Sequence, residues 1–421
     1  MPYRILGSIM VWVAILALQA ASPVLDPTSF VAVGGCWTAG CSDSQLTAPY
    51  QSLSYPSMMA RQIGTIMPLA RFRPMHGPLI AGADSLPGVA PPVSQSALRV
   101  LPFPVFTFNP SIPDLTVAES LRRRPELPIQ REGDLKQTLI NLVLGYPALI
   151  LDDPPRWSQI EYAERMRPTF LIWQPGEGDL FPAALRGDPS LATRLSSFAT
   201  DLTEAAARLR STHAVVLVLN LPDPFDGAFF SSPEEVAELY DLTVEELRSL
   251  FDLSEGDRIT VTGLVEIGDF YRGRGPGQLS SAAVVKAPEV AALREALAGF
   301  NEAIEEAAAR NGFLMFDLHR FVWLVRESGV EVEGRILSGR FGGGFYSPDG
   351  LFPSPTGHAL LANELLAYLN HIFGSAYVPV DIGSVAELDP FLPKPADKSE
   401  GRIRRILPSD RGPALSPRGT P

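Results

Sequence analysis

A cysteine stands where a short apolar run breaks into a tight turn. Phe30-Val-Ala-Val33 has the make-up of a buried strand, Gly34 and Gly35 interrupt it, and Cys36 follows in Cys36-Trp-Thr-Ala-Gly40. This is how a parallel sheet can present an attacking side chain at its carboxyl edge. A thiol at that place is a nucleophile only when a base lies within hydrogen-bond reach. The chain has five histidines, His76, His213, His319, His358 and His371, none at metal-site spacing, so no metal or cofactor is expected. His358 starts a helical stretch, where the positive end of the helix favours a neutral ring and hence a base. His319 follows an apolar run and is expected near the carboxyl edge of the sheet. Glu177 and Asp179 could offer a carboxylate pair, with solvated surface positions as the plainer expectation.

Five apolar runs read as parallel strands buried on both faces: Phe30–Val33, Leu139–Leu144, Thr169–Trp173, Ala214–Leu219 and Phe313–Leu318. Helical patterns lie between several of them, including Leu191–Leu209 and Pro288–Asn311, the latter stopped by Gly312. The alternation predicts an α/β fold with a doubly wound sheet. Two insertions interrupt it. Residues 65–130 are proline-rich. Residues 225–285 hold two helices announced by capping boxes, Ser232-Pro-Glu-Glu235 and Thr243-Val-Glu-Glu246. Both insertions are expected over the carboxyl end of the sheet, where they would shape a pocket.

Four blocks carry a resemblance. They are Gly34-Gly-Cys-Trp-Thr-Ala-Gly40 with Ser42-Asp43 and Ser54–Gln62, then Asn141-Leu-Val-Leu-Gly145. Thr169-Phe-Leu-Ile-Trp-Gln-Pro-Gly-Glu-Gly-Asp179 is third, and Ser347-Pro-Asp-Gly-Leu-Phe-Pro-Ser-Pro-Thr-Gly-His-Ala-Leu-Leu-Ala-Asn363 is fourth. In this order they resemble the blocks of the SGNH, or GDSL-type, hydrolases, in the secreted bacterial branch of esterases and lipases. The resemblance spans about residues 28 to 375. It implies a three-layer α/β/α sandwich of about five parallel strands, and hydrolysis of lipid, acyl or acylated-sugar esters.

The same resemblance assigns site positions. The family's nucleophilic serine falls on Cys36, and the aspartate before it on Gly35. Gly145 takes the place of a glycine that helps to form the oxyanion hole. The asparagine donor of the third block falls on Gly178. The aspartate that orients the catalytic histidine falls on Asp349, and the histidine itself on Phe352. Phenylalanine accepts no proton. Loss of a triad base costs on the order of 10³- to 10⁶-fold in rate. Loss of an oxyanion donor costs about 10²- to 10³-fold more. The expectation is a pseudoenzyme with little or no esterase activity and a retained ligand pocket walled by Phe352. Restoring serine, asparagine and histidine at the three altered positions should then raise activity. Two alternatives stay open: an esterase using Cys36 with a relocated base, His358 or a carboxylate, and a structural or interaction protein of the cell envelope.

Composition narrows the setting. A net charge of −12 over 421 residues argues against nucleic acid as a partner. Arg4, the apolar run Ile5–Leu18 and the small residues Gln19–Ser22 read as a signal peptide over residues 1–21. A secreted, periplasmic or envelope location follows, with no membrane span in the mature chain. An oxidising compartment would permit a bridge between Cys36 and Cys41, the two cysteines. Their five-residue spacing makes that geometry look awkward, and two separate thiols are expected. From about Asp389 to the end, proline-rich sequence of mixed charge reads as a disordered tail.

Overall fold

The computed structural model describes residues 24–74, 97–100, 104–146 and 156–392. The expected signal peptide, His76 and nearly all of the expected tail lie outside the described residues. The fold is mixed α/β. Nine strands are numbered here in chain order. Four of them, β1 (Phe30–Val33), β2 (Phe170–Trp173), β3 (Val215–Leu219) and β7 (Leu314–Phe316), form a parallel sheet in the order β1-β2-β3-β7. Phe30 aligns with Phe170, Trp173 with Val218, and Leu217 with Leu314. Every residue of β1 and β2 is buried, which is why both read as unbroken apolar runs. On the outer side of β1 an irregular segment takes the place of a further strand. Ala32 N donates to Phe108 O at 2.9 Å, and Ile112 N donates to Gly34 O at 3.1 Å.

One expected strand is a helix. Leu139–Leu144 falls in and just beyond the helix Leu135–Val143, whose first turn is capped by the Asp134 carboxylate accepting from Gln137 N. The apolar residues Leu135, Leu139 and Leu142 recur at helical spacing. Gln137 and Asn141 stay buried because their amides bond loop carbonyls at Arg124 and Ile129, both at 2.9 Å. A short apolar run does not by itself separate a buried helix from a buried strand. The parallel sheet therefore has four strands among the described residues, not five.

The helices pack in pairs, Leu195–Arg210 against Ala287–Asn311 and Pro355–Phe373 against Tyr55–Ile63. Phe198 and Phe300 stack with centroids 4.1 Å apart across the first pair. The insertion after β3 builds a small module of its own. Strands β4 (Phe230–Ser231), β5 (Arg258–Thr260) and β6 (Val284–Val285) pair antiparallel, and helices Pro233–Tyr240, Val244–Phe251 and Val261–Tyr271 flank them. Both capping boxes read from the sequence are formed, at Ser232 with Glu235 and at Thr243 with Glu246. Val236, Leu247, Phe251, Ile259 and Ile267 give the module a separate apolar core. A hairpin of β8 (Val330–Val332) and β9 (Arg335–Leu337) precedes the last block. Ordered chain continues past residue 375 through the helix Ile382–Leu388. Asp389, where the tail was expected to begin, is buried and accepts from Thr356 N at 3.0 Å and Thr356 Oγ1 at 2.7 Å.

Candidate functional site

Cys36 opens a single helical turn, Cys36–Ala39, directly after β1. The turn sits where the sequence places it, at the carboxyl edge of the sheet, but no side chain is on display: Cys36 is fully buried. Glu177 reaches it from the first turn of the helix Glu177–Arg186, which follows β2. Its carboxylate accepts from Cys36 N at 2.8 Å and from Trp37 N at 3.2 Å. It also interacts with the Cys36 thiol. Glu177 is 2 % exposed, so the expected solvated position is corrected. Gly35 makes the approach feasible, since a Cβ there would sit 2.8 Å from the Glu177 carboxyl carbon. An aspartate before the nucleophile and this glutamate could not coexist.

A carboxylate on those two N–H groups has a direct chemical consequence. The backbone N–H of a nucleophile is a donor that would receive a developing oxyanion. Here an internal anion already holds it. The environment does not favour that anion. Burial pushes Glu177 up to about 7 despite the two N–H bonds, and the nearby Asp114 carboxylate adds to the shift. Burial also pushes the Cys36 thiol well above its ordinary 9.0, with Cys41 and Glu177 contributing. A reduced Cys36 therefore keeps its proton, and Glu177 is a poor base for it.

The other assigned positions do not assemble into catalytic machinery. Gly178 lies against the backbone of Asp114 and Leu115, where a Cβ would come within 2.6 Å of the Leu115 carbonyl carbon. An asparagine does not fit there without backbone movement. Gly145 follows the helix Leu135–Val143 and packs on Pro125, where a Cβ would sit 2.5 Å from the Pro125 Cβ. The residue that the fold brings beside Glu177 and Gly178 is Asp114, in left-handed conformation at φ 59°. Sequence reasoning missed it. The run Asn109-Pro-Ser-Ile-Pro-Asp114 carries turn signals that pointed to an ordered loop.

Asp349 ties two loops together. Its Oδ1 accepts from Leu351 N at 2.8 Å, Phe352 N at 3.2 Å and Ser347 Oγ at 2.9 Å, and its Oδ2 from Ser44 N at 2.5 Å. All of this orders the Pro-Asp-Gly turn, with nothing left to orient a base. Phe352 is 1 % exposed and part of the core. His358 lies in the first turn of the helix Pro355–Phe373. Its ring stacks on Tyr55 at 6.1 Å between centroids, and its Nε2 is 3.4 Å from Cys41 O. Nδ1 is buried without a partner. Burial lowers the ring to about 4, so it is neutral, and its contacts are with Cys41 and Tyr55, not with the Cys36 sulfur. Asp179 is likewise buried, with Oδ2 accepting from Val117 N at 2.8 Å and its carboxyl raised to about 6 by burial.

Space at this end of the sheet is divided. The void bordering Trp37, closed in by Phe181, Phe230, Tyr346 and Leu351, measures about 10 Å³. That holds one water at most, where ligand pockets run to several hundred Å³. Beyond the ends of β3 and β7 the chain opens into a cleft of about 1000 Å³ lined by Asp223, Asp226, Arg258, Arg294, His319 and Trp323, among others. Arg294 Nε donates to Asp223 at 2.6 Å. Asp226 is 8 % exposed, and burial and Asp223 raise it to about 6. His319 thus lies by the carboxyl edge, at the end of β7. Among the described residues no helix is long and apolar enough to cross a membrane. Compared with known proteins, the chain matches no family model and no curated protein.

Proposed function

We propose that this chain is an exported SGNH-type scaffold that does not hydrolyse esters and acts as a binding or interaction protein of the cell envelope. The parallel order β1-β2-β3-β7 with paired helices is compatible with the three-layer sandwich that the sequence blocks imply. The observation that carries the loss of chemistry is the Glu177 carboxylate bound to the N–H groups of Cys36 and Trp37. Phe352 in the place of the base and the full burial of Cys36 point the same way. An acyl chain has no room at Trp37. The mixed-charge cleft over β3 and β7 suits a hydrophilic ligand such as a saccharide or a protein loop better than a lipid tail.

A second reading has one observation in its favour. Glu177 is a carboxylate held at the Cys36 backbone, where an active esterase with a relocated base would need one. The two readings separate in an assay of p-nitrophenyl esters from acetyl to palmitoyl. The silent scaffold predicts buffer-level rates at every chain length for both wild type and Glu177→Gln. Wild-type turnover that Glu177→Gln removes would establish the second reading instead.

A further inference from the structure

We propose that Cys36 and Cys41 form an internal disulfide in the mature protein. Both cysteines are free thiols in this structure, as their spacing led us to expect, but the chain brings the two residues close together. The helical turn Cys36–Ala39 ends at Gly40 in left-handed conformation, φ 88°. Gly40 N and Cys41 N both donate to Cys36 O, at 3.0 and 2.9 Å. A bond spanning six residues after a left-handed glycine turns the chain back on itself, and the side chain past the glycine packs onto the last helical turn. Here the two side chains that meet are both cysteines. Both are fully buried, and each acts on the other's thiol. Bridged cysteines need Cα atoms within about 7 Å, and the 2.9 Å bond from Cys41 N to Cys36 O holds the two residues within that span.

Gly40 is required for the reversal. Its φ is one that side-chain-bearing residues rarely adopt, and a Cβ there would meet the Ser54 Cβ at 2.6 Å. Neither thiol has another established task. Glu177 and Cys41 surround Cys36, and His358 approaches the carbonyl of Cys41, not its sulfur.

The step needs an oxidant, and a small-molecule disulfide such as oxidised glutathione suffices. One cysteine thiolate attacks a glutathione sulfur, forms a mixed disulfide and releases a glutathione thiolate. The second cysteine, deprotonated, attacks the chain-bound sulfur, closes the Cys36–Cys41 bond and releases the second glutathione thiolate. The chain loses two thiol protons and two electrons, and the glutathione disulfide is reduced. Because the folded chain shields both sulfurs, closure takes place while the chain folds. The oxidising compartment belongs to the functional reading above, whereas the meeting of the thiols does not depend on it.

The test is a thiol count on the full chain, refolded in a glutathione redox buffer, then denatured and alkylated with iodoacetamide without reductant. The proposal predicts no alkylation and an intact mass lighter by two hydrogens than the reduced chain. Both cysteines should become alkylatable after reduction. Alkylation of both cysteines without reductant, or a retained glutathione adduct, overturns it. The count reads the same whether or not the protein hydrolyses esters, so its failure is distinct from failure of the functional reading.

Discussion

Glu177 and Gly35 act as a matched pair. The glycine leaves the space into which the carboxylate reaches, and the carboxylate satisfies two N–H groups that would otherwise be open. This match was not legible in the sequence, because Glu177 lies 141 residues from Cys36 and nothing in Gly-Glu-Gly-Asp says that the first acid turns inward. The proposed absence of chemistry was more legible, since Phe352, where the resemblance puts the base, accepts no proton. The raised carboxyl of Glu177 has a signed consequence. A group whose folded pKa is about 7 against an ordinary 4.5 adds stability below about pH 4.5, and that stability is lost as pH rises through 7. Asp179 and Asp226, each raised to about 6, act in the same direction. The protein should therefore melt at a higher temperature at pH 5 than at pH 8. Glu177→Gln should shrink that difference, which thermal melts at the two pH values would show. Gly178→Asn should cost about 1–3 kcal/mol in denaturant unfolding, since its Cβ meets the backbone of residues 114 and 115. The triple restoration expected from the sequence is revised accordingly: with Glu177 in place and no room at 178, it should not raise ester hydrolysis.

Helices and strands with strong local signals were read correctly, and the one misread element shows where such signals stop. β1, β2 and β3 lie within their apolar runs, and both capping boxes close as their spacing implies. Leu139–Leu144 failed because a buried helix and a buried strand share the same apolar content over six residues, and the deciding cap, Asp134, stands before the run. The insertion after β3 is fastened at a place that no local pattern announces. Arg326, 7 % exposed, donates to the carbonyls of Asp226, Gly227, Phe230 and Gly339 at 3.2–3.3 Å and to Glu235 at 2.6 Å. Removing one partner of a buried pair leaves the other uncompensated. Arg326→Leu should cost about 3 kcal/mol or more in chemical denaturation, well beyond a neutral surface change such as Arg186→Lys.

For the whole molecule, the space over the carboxyl edge of the four-stranded parallel sheet is divided unevenly. Above β1 and β2 side chains fill the site, and above β3 and β7 an open, charged cleft remains. A parallel sheet was foreseeable from apolar runs alternating with helices, whereas its strand order was not. Nor was the closed site, because it depends on side chains far apart in the sequence, Glu177, Phe181, Phe230 and Tyr346 among them, meeting at one turn. A closed disulfide at that turn would add on the order of 2 kcal/mol through its short loop, so reductant should lower the unfolding midpoint. The central claim, that the turn at Cys36 no longer performs acyl chemistry, is tested most directly by one comparison. Short-chain ester hydrolysis is measured for wild type and Cys36→Ala, each with and without reductant. The account predicts equal, buffer-level rates in all four cases. Wild-type turnover that Cys36→Ala abolishes would contradict it.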